Sequence, residues 1–216
     1  MLTLKHLDKV YDRTLLWIHM KNNKQLINRL DKIKKFYSKH RHIPSYSEMC
    51  SLFGFASKNA VTRLVDDFIS LGYFTKIDKV ISPAPLFFSL PHLGHIKAGH
   101  PAEVNADYYD ETNTIYVGDD ALVVSGSTYV LTVSGDSMTG AGIFPGDLAI
   151  IDKLRGPRTG DIIAACVDDE WTLKYYRKYG SRVFLEAANP KYEPIYPENN
   201  LTTGGVLVKL MRTYKT

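Results

Sequence analysis

Apolar positions in the first third of the chain recur at helical spacing. Leu26, Ile27, Leu30, Ile33 and Phe36-Tyr37 alternate with Lys and Asp, which predicts an amphipathic helix through this stretch. Leu4, Leu7, Val10, Tyr11, Leu15 and Ile18 allow a further helix over residues 4–20, to which the pattern assigns no role. The run Arg41-His42-Ile43-Pro44-Ser45-Tyr46 interrupts the period. Ser47 then stands where a cap would start a short helix over 48–53, and Gly54 ends it. Ser57 is a second cap candidate. From Lys58 to about residue 71, Ala60, Val61, Leu64, Val65, Phe68 and Ile69 mark a longer helix that Gly72 closes. Two short strands, 73–77 and 79–81, follow around Asp78.

Residues 82–101 read differently. Pro83, Pro85, Pro91 and Pro101 bound the stretch, with Gly94 and Gly99 between them. Such a segment resists helix formation and is expected to be extended and accessible. Leu86-Phe87-Phe88 should nonetheless pack on a domain surface. From 102 onward the pattern is β, with strand composition at 114–117, 121–124, 128–133, 148–152, 161–167, 171–176, 182–187 and 205–213. The expectation is an α+β chain of two domains. Residues 1–81 form a helical domain with a small hairpin, 82–101 a linker, and 102–216 a strongly bent β domain.

Charge sharpens this division. Residues 1–80 carry 15 Lys and Arg against 7 Asp and Glu, a net of +8, whereas residues 81–216 carry a net of −4. A basic half joined to an acidic half suggests different partners, with nucleic acid the first candidate for the basic one. Charge alone does not separate that from a solvated lysine-rich surface. A short helix, a turn, a longer helix and a hairpin make a winged helix-turn-helix, whose second helix enters the major groove of double-stranded DNA. Ser57, Lys58, Asn59, Thr62 and Arg63 cluster at the start of that helix. Asn suits a bidentate contact to adenine and Arg one to guanine. The alternative is a small helical domain with a polar helix start.

Other functions are disfavoured. No apolar run approaches the roughly 18 residues that span a bilayer. The first eight residues lack the apolar core of a signal peptide, so a cytoplasmic protein without membrane contact is expected. Cys50 and Cys166 lie in different halves, and His92-Leu93-Gly94-His95 is too loose for a metal site, so neither metal nor cofactor is expected.

Two residues of the second half have unusual settings. Ser137 follows the apolar run 129–133 in the turn Ser134-Gly135-Asp136-Ser137-Met138. Lys174 sits within Trp171-Thr172-Leu173-Lys174-Tyr175-Tyr176, otherwise a buried strand. On a strand, Thr172, Lys174 and Tyr176 share one face. A serine hydroxyl becomes nucleophilic when a base removes its proton, and a lysine can do so once desolvation brings its pKa toward neutrality. Backbone N–H groups of the turn can then stabilise an oxyanion. Taken singly, Ser137 also fits ordinary turn chemistry and Lys174 a solvent-facing strand position.

These motifs together resemble the LexA/UmuD family of self-cleaving proteins. The matching runs are Ser134-Gly135-Asp136-Ser137-Met138, Gly142-Ile143-Phe144-Pro145-Gly146-Asp147, Gly160-Asp161-Ile162-Ile163-Ala164-Ala165 and Thr172-Leu173-Lys174. In the first half, Ile43-Pro44-Ser45, Phe53-Gly54-Phe55 and Ser57-Lys58-Asn59-Ala60 resemble a LexA DNA-binding domain. The resemblance covers about residues 25–213 and leaves out the leading segment. It implies that Ser137 is the nucleophile, Lys174 its general base, and Ala98-Gly99 the scissile pair. It further implies intramolecular cleavage promoted by a RecA filament on single-stranded DNA, and a homodimer through the C-terminal domain. Val61, Thr62 and Arg63 depart from the LexA pattern, which points to a different operator. The C-terminal half, including Thr139-Gly140-Ala141-Gly142-Ile143, is similar to UmuD.

The leading expectation is therefore a repressor of the DNA-damage (SOS) response that inactivates itself by cleavage. The alternative is an accessory protein of an error-prone DNA polymerase, activated by the same cut. A signal-peptidase-like enzyme acting in trans shares the Ser-Lys chemistry but lacks its membrane segment here.

Overall fold

The fold follows from a computed structural model, which describes residues 24–97, 114–118, 128–167, 170–197 and 200–214. The expected helix over 4–20 and strand over 121–124 lie outside these residues. Two units are present, one comprising Met1–Ser89 and Tyr116–Gly126, the other Leu90–Ile115 and Ser127–Thr216.

In the first unit, α1 (Lys24–His40) buries Leu26, Leu30, Ile33 and Tyr37 on one stripe, as its apolar period dictates. Helix α2 (Tyr46–Phe53) starts earlier than expected, because Ser45 caps it rather than Ser47. The Ser45 side chain accepts the Glu48 N–H at 3.3 Å, while the Ser45 N–H donates to Glu48 Oε2 at 2.8 Å. Ser45 has a glutamate three residues on and closes this reciprocal pair; Ser47 has Cys50 there and cannot. Gly54, in the left-handed region, ends the helix. Helix α3 (Lys58–Ser70) buries Val61, Leu64, Val65 and Phe68. Ser57 occupies its N-cap position, but its side chain makes no capping bond.

Strands β1 (Phe74–Ile77) and β2 (Val80–Pro83) pair antiparallel, with Ile77 opposite Val80. Asp78 and Lys79 both take positive φ, as a two-residue hairpin turn of matching twist requires. A 3-10 turn, Pro85–Phe88, then turns Phe87 into the core, with its ring 5.3 Å from Tyr37 and 5.8 Å from Phe74.

The second unit is built on one sheet. Its strands are β3 (Ser89–Lys97), β4 (Thr114–Tyr116), β5 (Thr128–Ser134), β6 (Leu148–Asp152), β7 (Ile162–Val167), β8 (Glu170–Tyr179), β9 (Arg182–Glu186) and β10 (Leu201–Met211). They lie in the order β4-β3-β5-β6-β10-β7-β8-β9. Strand β3 runs parallel to β5, whereas β5–β6, β6–β10, β10–β7, β7–β8 and β8–β9 are antiparallel. Of the proline-bounded stretch, Ser89–Lys97 is extended, as a strand of the sheet, whereas Pro85–Phe88 is a 3-10 turn with Phe87 buried rather than accessible. Side chains alternate across β7: Ala164 joins a cluster with Leu131, Val133, Met138, Ile143, Ile151 and Leu173, while Ile163, Ala165 and Val167 join Leu185 and Val206. The chain is accordingly α+β, with three helices and a hairpin before a large, mostly β unit among the described residues.

Candidate active site

Strand β5 ends at Ser134, and the chain turns sharply through Gly135, whose φ is +133°. Ser137 follows, fully buried, with Met138 beside it in the core. Several bonds pin the turn. The Asp136 carbonyl accepts from the Thr139 N–H at 3.2 Å, the Thr139 hydroxyl at 2.9 Å and Asn189 Nδ2 at 2.9 Å. The Met138 carbonyl accepts the Ala141 and Ile143 N–H groups. Gly140 donates its N–H to the Ala188 carbonyl at 2.7 Å, and a Cβ at position 140 would stand 2.1 Å from that oxygen. Only glycine allows this approach.

The far end of the loop is clamped separately. Asp147, 1% exposed, accepts from Arg212 through both carboxylate oxygens, at 2.5 and 2.6 Å, and from the Phe144 N–H at 2.8 Å. Arg212 also donates to the Gly142 carbonyl at 2.6 Å and lies over the Phe144 ring. The Arg212 bonds, more than any other contact, hold the Asp147 carboxyl below the usual range.

Lys174 reaches this turn from β8. Its neighbour across the ladder is Ile163, and it is 2% exposed. Its Nζ lies 2.7 Å from Ser137 Oγ, 2.7 Å from Thr172 Oγ1 and 3.2 Å from the Leu173 carbonyl. Burial lowers its pKa to about 8. The two residues singled out in sequence, 37 positions apart, are thus in direct contact. Thr172, on the same strand face, fixes the amine from below. The period-2 pattern marked that shared face, though not the bond.

Lys34 offers a control within the same chain. Burial also lowers its pKa to about 8, but its Nζ bonds the Ser89 carbonyl at 3.2 Å and lies near the rings of Tyr73 and Phe87. Desolvation alone therefore does not make a nucleophilic pair. The hydroxyl within reach at Lys174 is the distinguishing feature.

Ala98 and Gly99 lie outside the described residues. The strand leading to them does not: Ile96 is buried in the core, its carbonyl accepts the Ser134 hydroxyl at 3.1 Å, and Lys97 pairs with Ser134. At the other unit's candidate interface, Ser57, Lys58, Asn59 and Arg63 are exposed at the start of α3. Thr62 is half-buried, and its hydroxyl bonds back to the Lys58 carbonyl at 3.0 Å, which leaves it less available than expected. Asn189 and Tyr192 brace the serine turn; Asn189-Pro190 carries only a turn signal in sequence, and nothing local marks Tyr192. Among the described residues no group of three or more His, Cys, Asp or Glu could hold a metal, and no helix is long and apolar enough to cross a membrane.

The site is thus a buried lysine amine in contact with a buried serine hydroxyl, both carried by one eight-stranded sheet and the turn that follows β5. The family described as Peptidase S24-like matches residues 91–208, and the chain belongs to it. A LexA repressor of Verrucomicrobium spinosum is 33% identical over 192 residues, 86% of this chain and 94% of that protein. A LexA repressor of Desulfatibacillum aliphaticivorans is 32% identical over 191 residues, 83% of this chain and 92% of that protein. A LexA repressor of Leptospira interrogans is 42% identical over 128 residues, covering 58% of this chain and 60% of its own length.

Proposed function

We propose that the protein is a cytoplasmic repressor of the DNA-damage response that inactivates itself by cutting its own chain between Ala98 and Gly99. The observation that carries this reading is the 2.7 Å contact between Lys174 Nζ and Ser137 Oγ in a buried setting. A neutral Lys174 takes the hydroxyl proton as Oγ attacks the Ala98 carbonyl carbon. Backbone N–H groups of the serine turn stabilise the resulting oxyanion. The ammonium returns the proton to the Gly99 nitrogen, the Ala98–Gly99 bond breaks, and water then hydrolyses the Ala98 ester with Lys174 again as base.

The run of β3 supports the substrate assignment. Lys97 stands opposite Ser134, three residues ahead of Ser137, and Ala98-Gly99 follows directly. Two residues span at most about 7 Å, so the reading requires Ala98-Gly99 to meet Ser137 within that reach of the strand end. Small side chains at both positions let the backbone approach closely. A RecA filament on single-stranded DNA acts by favouring the docked form of this segment.

Residues 1–81 act as the reader of double-stranded operator DNA, with Ser57, Lys58, Asn59 and Arg63 on the exposed start of α3. Residues 102–216 carry the peptidase and the dimer contacts. Cleavage within 82–101 then uncouples two half-site readers and removes the affinity that linkage supplies. The alignment over 86% of the chain with a LexA repressor extends past the peptidase match into the helical half, which favours a repressor over a polymerase accessory protein.

The test is incubation of the purified chain with RecA, single-stranded DNA and a slowly hydrolysed ATP analogue. Full-length chain and sequence-specific DNA retention should disappear together, and Ser137→Ala should keep both. Cleavage of Ser137→Ala at the wild-type rate contradicts the mechanism.

A further inference from the structure

We propose that Asn189, supported by Tyr192, is a positioning residue for the Ser137 reaction, aiming the Ser137 amide N–H at the developing oxyanion. The inference rests on the self-cleavage reading above and adds a group to its machinery. Its starting point is the Asp136–Ser137 peptide unit. In a trans peptide the carbonyl and the following N–H lie in one plane and point in opposite directions. Whatever fixes the Asp136 carbonyl therefore fixes the Ser137 N–H.

Three donors hold that carbonyl. Two come from Thr139, within the turn itself, at 3.2 and 2.9 Å. The third, Asn189 Nδ2 at 2.9 Å, comes from 53 residues away and is the one long-range hold on this carbonyl among the described residues. Local bonds set the shape of the turn but let it rock as a unit. A donor from another segment fixes its orientation in the unit. Three donors on one carbonyl also polarise the peptide and strengthen its N–H as a donor.

The support for Asn189 is itself built. Asn189 is 9% exposed, its Oδ1 accepts the Lys191 N–H at 3.1 Å, and its carbonyl accepts the Tyr192 N–H at 3.1 Å. These bonds leave Nδ2 directed at Asp136. The Tyr192 hydroxyl donates to the Asp136 carboxylate, and the Ala188 carbonyl accepts the Gly140 N–H at 2.7 Å. The segment 188–192 thus grips the turn at both of its ends, on either side of Ser137. None of these contacts touches Lys174, so orientation of the amide and basicity of the lysine are set by separate groups.

The test compares self-cleavage of the intact chain across pH for wild type, Asn189→Ala, Asn189→Asp and Tyr192→Phe. The Asp variant keeps the side-chain shape and lacks the Nδ2 donor, so it reports even where the Ala variant folds poorly. Both Asn189 variants should lose about 10- to 100-fold in the alkaline plateau rate, less than the roughly 100- to 1,000-fold for outright removal of an oxyanion donor, because the Ser137 N–H is misaimed rather than deleted. Tyr192→Phe should lose a few-fold, and the pH midpoint should stay at the wild-type value in all of them. A merely structural loosening would let water reach Lys174 and move the midpoint up, toward ordinary lysine. An unchanged plateau, or a plateau loss accompanied by that upward shift, overturns the inference. Ser137→Ala run in parallel separates the two levels: if it still cleaves, the self-cleavage reading has failed, whatever Asn189 does.

Discussion

Lys97 pairs with Ser134, three residues ahead of Ser137 in the chain, at the ends of two parallel strands, and the proposed cleavage depends on this register. The register shifts between His92 and His95, where Gly94 takes a φ of +97°. A Cβ there meets no atom within 4 Å, but the backbone angle is one that L residues avoid. Gly94→Val should therefore cost about 1–3 kcal/mol of local strain. It should also slow cleavage roughly tenfold or more by loosening the docked strand. Cleavage rate at alkaline pH, compared with the thermal midpoint, checks this.

Lys174 gives the pH dependence. Its pKa is depressed to about 8, so the neutral amine accumulates as pH rises through that value. Cleavage should climb with pH, with a midpoint near about 8, and then level off. Lys174→Arg should be inactive across the range, because a guanidinium stays protonated. The same depression affects stability with a definite sign. Below about 8 the native state holds a buried ammonium at full cost, and that cost fades as pH rises toward the ordinary lysine value of about 10.4. Lys174→Met should thus raise the melting temperature at pH 7, and the gain should shrink by pH 10. Calorimetry at the two pH values measures the difference.

The loop clamp predicts a loss in the other pH direction. Arg212→Ala leaves the buried Asp147 carboxylate without its ion pair and should lower stability at pH 7, by less than a fully buried pair would because Arg212 is partly exposed. The Asp147 pKa is depressed, so its contribution is present above the ordinary carboxylate pKa and lost as pH falls through the folded value. Wild type and variant should differ at pH 7 and converge in strong acid. Denaturant unfolding at several pH values follows this directly.

Gly140 tests the brace from 188–192. Gly140→Ala forces a Cβ into the Ala188 carbonyl, 2.1 Å away with no relaxation, and neither partner is a flexible side chain. About 1–3 kcal/mol of overpacking is expected. A shift of about 1 Å in the serine turn should also cost on the order of 100-fold in cleavage. Melting and cleavage rates of the purified variant give both numbers.

Much of this was legible from local chemistry. Gly54, the period of Val61, Leu64, Val65 and Phe68, and the Asp78 turn fixed the helical unit, because caps and apolar stripes act over a few residues. Ser45 and Ser47 are equivalent cap candidates by residue type, and only the Glu48 three residues after Ser45 distinguishes them. Strand β3 was hidden by Pro91 and Gly94, whose local signals oppose a strand. Its pairing with β5 and the burial of Ile96 are long-range and override them. The same holds at the site. Ser137 and Lys174 stood out by their settings, but Asn189 and Tyr192 act on Asp136 across more than 50 residues, and no short-range pattern marks such a contact.

The most direct measurement of the central claim is the mass of the products after the purified chain is incubated at pH 9–10. The account predicts two fragments, one ending at Ala98 and one beginning at Gly99, and none from Ser137→Ala or Lys174→Arg. Fragments with other ends, or the same fragments from Ser137→Ala, would contradict it.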